Sequence, residues 1–265
     1  MKDMSTILDT IAEYARVRVK DAKAVRSLEE TKHLALCADC NTGFPFEKAL
    51  SAKGISFICE CKKASPSKGV IADDFPYLNI AKEYEQAGAS CISVLTEPKW
   101  FLGKNEYLRQ ITQAVSLPCI RKDFIVDAYM IYETKLLGAS AVLLICSLLP
   151  TQTLKDYIGI CDRLGLSALV EAHDEAEINS AIEAGARIIG VNNRNLKDFT
   201  VDINNSGRLR ALVPENILFV AESGITCRAD VVSLEKAHVD AALIGETLMR
   251  SGNKKAMLDE LKGTA

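Results

Sequence analysis

From residue 55 onward the chain repeats one unit eight times: a short apolar run, a turn, then a helix-like stretch that often closes on Gly-Ala before the next run. Predicted strands run through Phe57 to Cys61, Cys91 to Leu95, Cys119 to Lys122, Ala141 to Ile145, Ala168 to Glu171, Ile188 to Asn192, Leu218 to Ala221 and Ala241 to Ile244. Each is nearly continuous in Val, Ile, Leu, Ala and Cys, as expected when both faces of a strand are covered. Three intervening helices are expected to stop at Gly88, Gly138 and Gly185, because glycine enters the left-handed conformation that ends a helix without steric cost. Alternating strands and helices imply parallel pairing through right-handed crossovers. Eight units in about 210 residues suit a closed (β/α)8 TIM barrel, an α/β fold of roughly 250 residues. A doubly wound open sheet is the competing topology; no Gly-x-Gly-x-x-Gly follows the first strand to support it.

Residues 1–54 lie outside the repeat and carry Ile7, Leu8, Ile11, Ala12, Ala15 and Val19 at helical spacing. That is the pattern of an amphipathic helix with a buried stripe. The expectation is an N-terminal helical extension over 1–54, packed on a barrel over 55–265, as one domain. Asn41-Thr42-Gly43-Phe44-Pro45 is read as the link to the first strand. The net charge of -3, with Lys and Arg scattered, offers no basic stripe for a nucleic-acid backbone or an anionic membrane. No apolar stretch approaches the roughly 20 residues of a membrane span. Nine cysteines, an odd number, several of them inside apolar runs, and no charged-then-apolar leader at Met1-Lys2-Asp3-Met4 fit a reducing cytoplasm. Cys37-Ala38-Asp39-Cys40 has metal-pair spacing, but no second pair follows, so these are read as incidental thiols.

Unusual polar residues gather at the strand ends, where barrels of this kind build their active sites. The first strand ends in Glu60-Cys61-Lys62-Lys63-Ala64-Ser65-Pro66-Ser67. Side chains alternate along a strand, so Glu60 and Lys62 share one face while Cys59 and Cys61 take the other. Two opposite charges facing a closed interior are costly to desolvate, which points to a chemical or binding use. The third strand ends in Lys122-Asp123, the fifth in Glu171, and the sixth in Asn192-Asn193-Arg194. Glu222-Ser223-Gly224-Ile225 and Leu243-Ile244-Gly245-Glu246 follow the seventh and eighth. Small residues there let backbone N–H groups approach a phosphate, which a helix N-terminus stabilises without a basic cluster.

These residues resemble the indole-3-glycerol-phosphate synthase family of tryptophan biosynthesis, over nearly the whole length. The resemblance rests on the octapeptide from Glu60 to Ser67, on Ser93-Val94-Leu95-Thr96-Glu97, Arg121-Lys122-Asp123-Phe124-Ile125 and Leu169-Val170-Glu171. It extends through Ile189 to Leu196, Ala221 to Ile225 and Leu243 to Glu246, and includes the helical extension. It implies a carboxy-lyase of aromatic amino-acid biosynthesis that closes, decarboxylates and dehydrates 1-(2-carboxyphenylamino)-1-deoxyribulose 5-phosphate. The products are indole-3-glycerol phosphate, carbon dioxide and water, with no metal or organic cofactor. The implied partner is this small phosphorylated molecule, with neither nucleic acid nor membrane, for a monomer with at most weak association with pathway enzymes.

By the same resemblance Lys122 is the general acid for ring closure and Glu171 the carboxylate that assists proton transfer during dehydration. Glu60 and Lys62 match a supporting catalytic pair, with Lys62 also near the phosphate or acting as an acid in dehydration, and Asn192 matches a hydrogen-bonding catalytic residue. Ser65 and Arg194 match the holders of the substrate carboxylate, a task suited to guanidinium geometry. Ser223, Gly224, Gly245 and Glu246 match the phosphate-binding positions. Glu246 departs from the serine of some relatives, so its backbone amide is expected to bind while its side chain points away. Phe101, Phe124, Leu143 and Leu196 fall where the family lines its aromatic-ring pocket. An ordinary lysine loses its proton near pH 10.4, burial lowers that value and a neighbouring carboxylate opposes the fall; Lys122 is expected to be protonated at pH 7. The alternatives are a Schiff-base aldolase with Lys122 as nucleophile, and a non-catalytic metabolite-binding barrel.

Overall fold

In the computed structural model, which describes residues 6–195 and 199–264, eight parallel strands close on themselves. They are β1 (Ser56–Cys61), β2 (Cys91–Leu95), β3 (Cys119–Lys122), β4 (Ala141–Ile145), β5 (Ser167–Ala172), β6 (Ile188–Asn192), β7 (Leu218–Glu222) and β8 (Ala241–Ile244). Neighbours in sequence pair in parallel around the ring, and β8 closes on β1 with Ser56 opposite Ala241 and Cys59 opposite Ile244. The TIM barrel read from the repeat is the fold observed. The glycines expected to end helices, Gly88, Gly138 and Gly185, have φ of 76°, 81° and 86°.

Two apolar layers follow from the two-residue period of the strands. Ile58, Ile120, Leu143, Leu169, Ile188, Val220 and Leu243 point inward and fill the barrel, while Phe57, Cys59 and Cys61 point outward against the helices. That parity decides the chemistry at the barrel's C-terminal end. Glu60 follows Ile58 inward, Lys122 follows Ile120, Glu171 follows Leu169, and Glu222 follows Val220. Arg121 alternates with Lys122 and is buried on the outer side, where it donates to Met130 O and Thr134 Oγ1.

The N-terminal segment forms three helices: α1 (Ile7–Val25), α2 (Leu28–Cys37) and α3 (Pro45–Leu50). Thr6 caps α1, accepting from Asp9 N while the Asp9 carboxylate accepts from Thr6 N, the reciprocal arrangement that satisfies free N–H groups at a helix start. Leu8, Ile11, Ala12, Ala15 and Val19 form its buried stripe, and Ile7 is half-buried. The stretch from Asn41 to Pro45 does not run directly into β1, because Pro45 occupies the first turn of α3, a position that tolerates its missing N–H. Phe46 and Leu50 of α3 are 0% and 1% exposed and pack into the inner apolar layer. They close the barrel opposite the charged end. Among the described residues no helix is long and apolar enough to cross a membrane.

Phe46→Ala should therefore cost about 3–5 kcal/mol of unfolding free energy, read from urea denaturation. A loss below about 1 kcal/mol would show that the barrel floor does not depend on α3.

Candidate active site

The inward residues at the C-terminal end of the strands surround a cavity of about 680 Å³. Lys122 stands at its base. Its Nζ lies 3.0 Å from Glu222 Oε2 and 3.5 Å from Glu171 Oε2. Lys62 Nζ is 2.8 Å from Glu60 Oε1, and Ser93 Oγ donates to Glu60 Oε2 at 3.2 Å. Two ammonium groups thus share one buried site with three carboxylates. Burial alone would lower the Lys122 pKa, but Glu222, Glu171 and Glu60 outweigh it and hold the lysine above its ordinary value. Glu60 is held below the ordinary carboxylate range because Lys62 and Lys122 overcome its desolvation. Glu222 goes the other way: burial, with repulsion from Glu171 and Glu60, pushes it up to about 7 despite Lys122.

Glycines make room for this cluster. A Cβ on Gly190 of β6 would collide with Glu222 Oε1, and one on Gly245 would lie 2.5 Å from Glu60 Oε1 and 2.8 Å from Lys62 Nζ. The backbone after β8 therefore runs directly against the Glu60–Lys62 pair.

Lys122 is also held from behind. Asp123, buried at 1% exposure, accepts from Arg18 of α1 through both oxygens, at 2.7 and 3.1 Å, and from Thr96 Oγ1 at 2.6 Å. Arg121 Nη2 reaches the same carboxylate at 3.4 Å and Arg121 Nη1 pairs with Glu133 at 2.8 Å. Arg121 and Arg18 together hold the Asp123 carboxyl below its usual range despite burial. The residue next to Lys122 is thereby fixed to the N-terminal helix across 105 positions of sequence. A second anion orders the loop after β2: Glu97, fully buried, accepts from the backbone N–H groups of Lys99, Trp100 and Phe101.

Ser65, Arg194 and Asn192 line the same cavity. Asn192 Oδ1 accepts from Arg194 N at 3.0 Å, and Arg194 Nη1 donates to Phe199 O at 3.3 Å. Ser223, Gly224, Gly245 and Glu246 border its far side. Ser223 and Gly224 have φ of 67° and 84°, a sparsely populated conformation for serine that marks a constrained turn. The Glu246 carboxylate accepts from Arg250 Nε at 3.0 Å and lies 3.9 Å from Lys68 Nζ, so cations offset its charge in a region suited to an anion. Phe101 and Phe124, with ring centroids 5.9 Å apart, and Leu143 supply an apolar wall. Leu196 lies outside the described residues.

Several residues of the cavity were given no place in it by the sequence. Glu222 is the most consequential, since its inward parity with Val220 becomes readable only when β7 extends one residue past Ala221. Ile7, Leu8 and Ile11 bring the extension to the cavity wall, and Lys68 brings a cation to its edge. Among the described residues, no group of three or more His, Cys, Asp or Glu side chains is placed to hold a metal ion.

A barrel with lysines and carboxylates interleaved at the strand ends, facing an apolar wall and seventh and eighth loops that each carry a glycine, defines an acid–base enzyme for a small anionic substrate. The family model described as Indole-3-glycerol phosphate synthase matches residues 8–261, and the chain belongs to that family. It is 57% identical to the indole-3-glycerol phosphate synthase of Ruminiclostridium cellulolyticum over 98% of this chain and 100% of that protein. It is 53% identical to that of Endomicrobium trichonymphae over 97% and 99% respectively. Among solved structures, KGPDC from Streptococcus mutans superposes with a TM-score of 0.63 at 11% identity, covering 80% of this chain and 97% of that one. A tryptophan synthase chain from Pyrococcus furiosus gives 0.59 at 15% identity, covering 78% and 98%. These two likenesses concern the fold.

Glu222, raised from 4.5 to about 7, keeps a proton in the native state that the unfolded chain has already lost. Its contribution to stability is fully present below pH 4.5 and disappears as pH rises through about 7, since stability falls with pH wherever the native state binds more protons. Glu222→Gln should flatten the decline in Tm across that window, as read by calorimetry. Equal slopes in variant and parent would mean that Glu222 ionises like an ordinary carboxylate.

Proposed function

We propose that this cavity carries out the family's reaction, with the ammonium of Lys122 as its central acid. The activity is that of a carboxy-lyase: ring closure, decarboxylation and dehydration of 1-(2-carboxyphenylamino)-1-deoxyribulose 5-phosphate to indole-3-glycerol phosphate, carbon dioxide and water. The carboxylate-bearing aromatic carbon attacks the sugar ketone, and Lys122 gives its proton to the ketone oxygen as charge develops there. An alkoxide is far more basic than an amine, so the transfer runs downhill even from a lysine whose pKa is raised. Carbon dioxide then leaves the carbon that formed the new bond. Dehydration removes the hydroxyl as water, with Lys62 as proton donor and Glu171 accepting the proton lost from the adjacent carbon.

Glu60 holds Lys62 in place, and Glu222, 3.0 Å from Lys122 Nζ, is placed to return a proton to the amine after the transfer. Arg194 and Ser65 receive the substrate carboxylate, and Asn192 orients Arg194 and offers a further hydrogen bond. Phe101, Phe124, Leu143 and Leu196 take the aromatic ring. The backbone at Ser223, Gly224, Gly245 and Glu246, with Lys68 alongside, takes the phosphate. The nine cysteines, all free thiols, support a reducing cytoplasmic location.

The observation that carries this reading is the position of Lys122 beside Glu222 and Glu171, with Glu60 contributing. Those carboxylates favour the charged amine, which suits a proton donor and opposes a Schiff-base nucleophile, since that must be neutral to attack. Lys122→Ala and Glu171→Gln should each lower the rate of indole-3-glycerol phosphate formation, followed by fluorescence, by about a hundredfold or more. Lys122→Ala retaining most of the parent activity, or borohydride trapping a substrate adduct on the parent enzyme, would rule the mechanism out.

A further inference from the structure

Glu171 is flanked on both sides. Its Oε2 faces Lys122, while Oε1 lies 3.4 Å from Nε2 of His173, two residues further along the chain. The imidazole is anchored at its other nitrogen: Nδ1 lies 3.0 Å from Glu177 Oε2, an oxygen that also accepts from the His173 backbone N–H at 2.8 Å. Ser147 Oγ donates to Glu177 Oε1 at 2.6 Å, and the Asp174 side chain caps the helix Glu175–Glu183 by accepting from Glu177 N. Glu177 is therefore held at three points, and the ring it grips has one direction left for Nε2, toward Glu171. Exposure grades along the line, from 4% for the Glu171 side chain through 18% for His173 to 21% for Glu177.

The tautomer follows from the anchor. With Nδ1–H directed at the Glu177 carboxylate, a neutral imidazole presents a lone pair to Glu171, and two acceptors face each other. A protonated imidazole instead turns Nε2–H toward Glu171 and meets a carboxylate at both ends, hydrogen-bonded at Nδ1 and at an ion-pair distance of 3.4 Å, without a hydrogen bond, at Nε2. We propose that His173 is a positioning residue for Glu171: as an imidazolium fixed by Glu177, it orients the Glu171 carboxylate to accept the dehydration proton. This rests on the role given to Glu171 above.

The groups facing the ring agree. Glu171 on β5, Glu177 on the helix Glu175–Glu183, and Glu222 on β7 all favour its charge, and together with the hydrogen bond from Glu177 they outweigh burial, so the His173 pKa is raised above 6.5. Lys122 is the cation on the opposite side of Glu171. Cys146, whose Sγ donates to Glu177 O at 3.5 Å, is pushed up to about 12 by burial and the nearby acids and stays neutral. Asn205 contributes only a 3.4 Å donation to His173 O.

The chain holds three histidines, so imidazole NMR on the intact protein can follow His173 directly. Its titration should move to lower pH in Glu177→Gln and in Glu171→Gln, because each removes a carboxylate that favours the imidazolium. In kinetics, His173→Gln should lower kcat by about tenfold with little change in KM, the loss of one charge-assisted contact. The fall of kcat that follows His173 deprotonation should shift to lower pH in Glu177→Gln and be absent in His173→Gln, which keeps only the later fall set by loss of the Lys122 proton. An unchanged His173 titration in Glu171→Gln, or a kcat profile of His173→Gln that superimposes on the parent's, overturns the proposal. The two readings separate at Glu171→Gln. Full activity there defeats the role of Glu171 itself, whereas an inactive variant with an unmoved His173 defeats only this inference.

Discussion

The structure turns on one buried ammonium. Lys122 Nζ stands within 3.0 and 3.5 Å of two carboxylates at the mouth of the barrel, and a third, Glu60, acts on it through space. A lone lysine there would surrender its proton to escape desolvation, and lone carboxylates would take one up. Each is tolerated because the others are present. With three carboxylates and only two lysines, one acid is left in excess, and the strain falls on Glu222, the carboxylate pushed up to about 7. The site thus stores a charged acid and a protonatable neighbour side by side before any substrate arrives.

The rest of the fold serves that arrangement. The closed ring brings Glu60, Lys122, Glu171 and Glu222 together from four different strands, which no local segment could do. Gly190 and Gly245 leave the space that the carboxylates and Lys62 occupy. Outside the barrel, Asp123 is gripped by Arg18 and Arg121, so the strand end bearing Lys122 is tied to α1. The same helix walls the cavity with Ile7, Leu8 and Ile11. The extension is therefore part of the site. Breaking the Arg18 contact would leave a buried anion short of one partner, a loss of about 3–5 kcal/mol for pairs of this kind.

Much of this was readable from sequence because it depends on local periodicity. Apolar runs between helix-like stretches located the eight strands to within a residue, and the two-residue alternation put Glu60 and Lys62 inside with Cys61 outside. Glu222 escaped for a small reason. The predicted seventh strand ended at Ala221, which left Glu222 to the loop and to the phosphate motif, whereas the observed strand carries it inward beside Val220. Contacts across long stretches of chain were not legible at all: Arg18 with Asp123, or Phe46 in the barrel floor, depend on how the ring closes. His173 was missed for another reason. Its meaning comes from Glu177 one helical turn on, and from the direction that Glu177 forces on the ring.

The protonation state of Lys122 tests this account most directly. With lysine labelled at Cε and Nζ, NMR of the free enzyme can follow its titration, assigned by comparison with Lys122→Ala. The carboxylate cage predicts that Lys122 keeps its proton beyond the pH of about 10.4 at which an ordinary lysine loses it. Loss of that proton near neutrality would contradict the account.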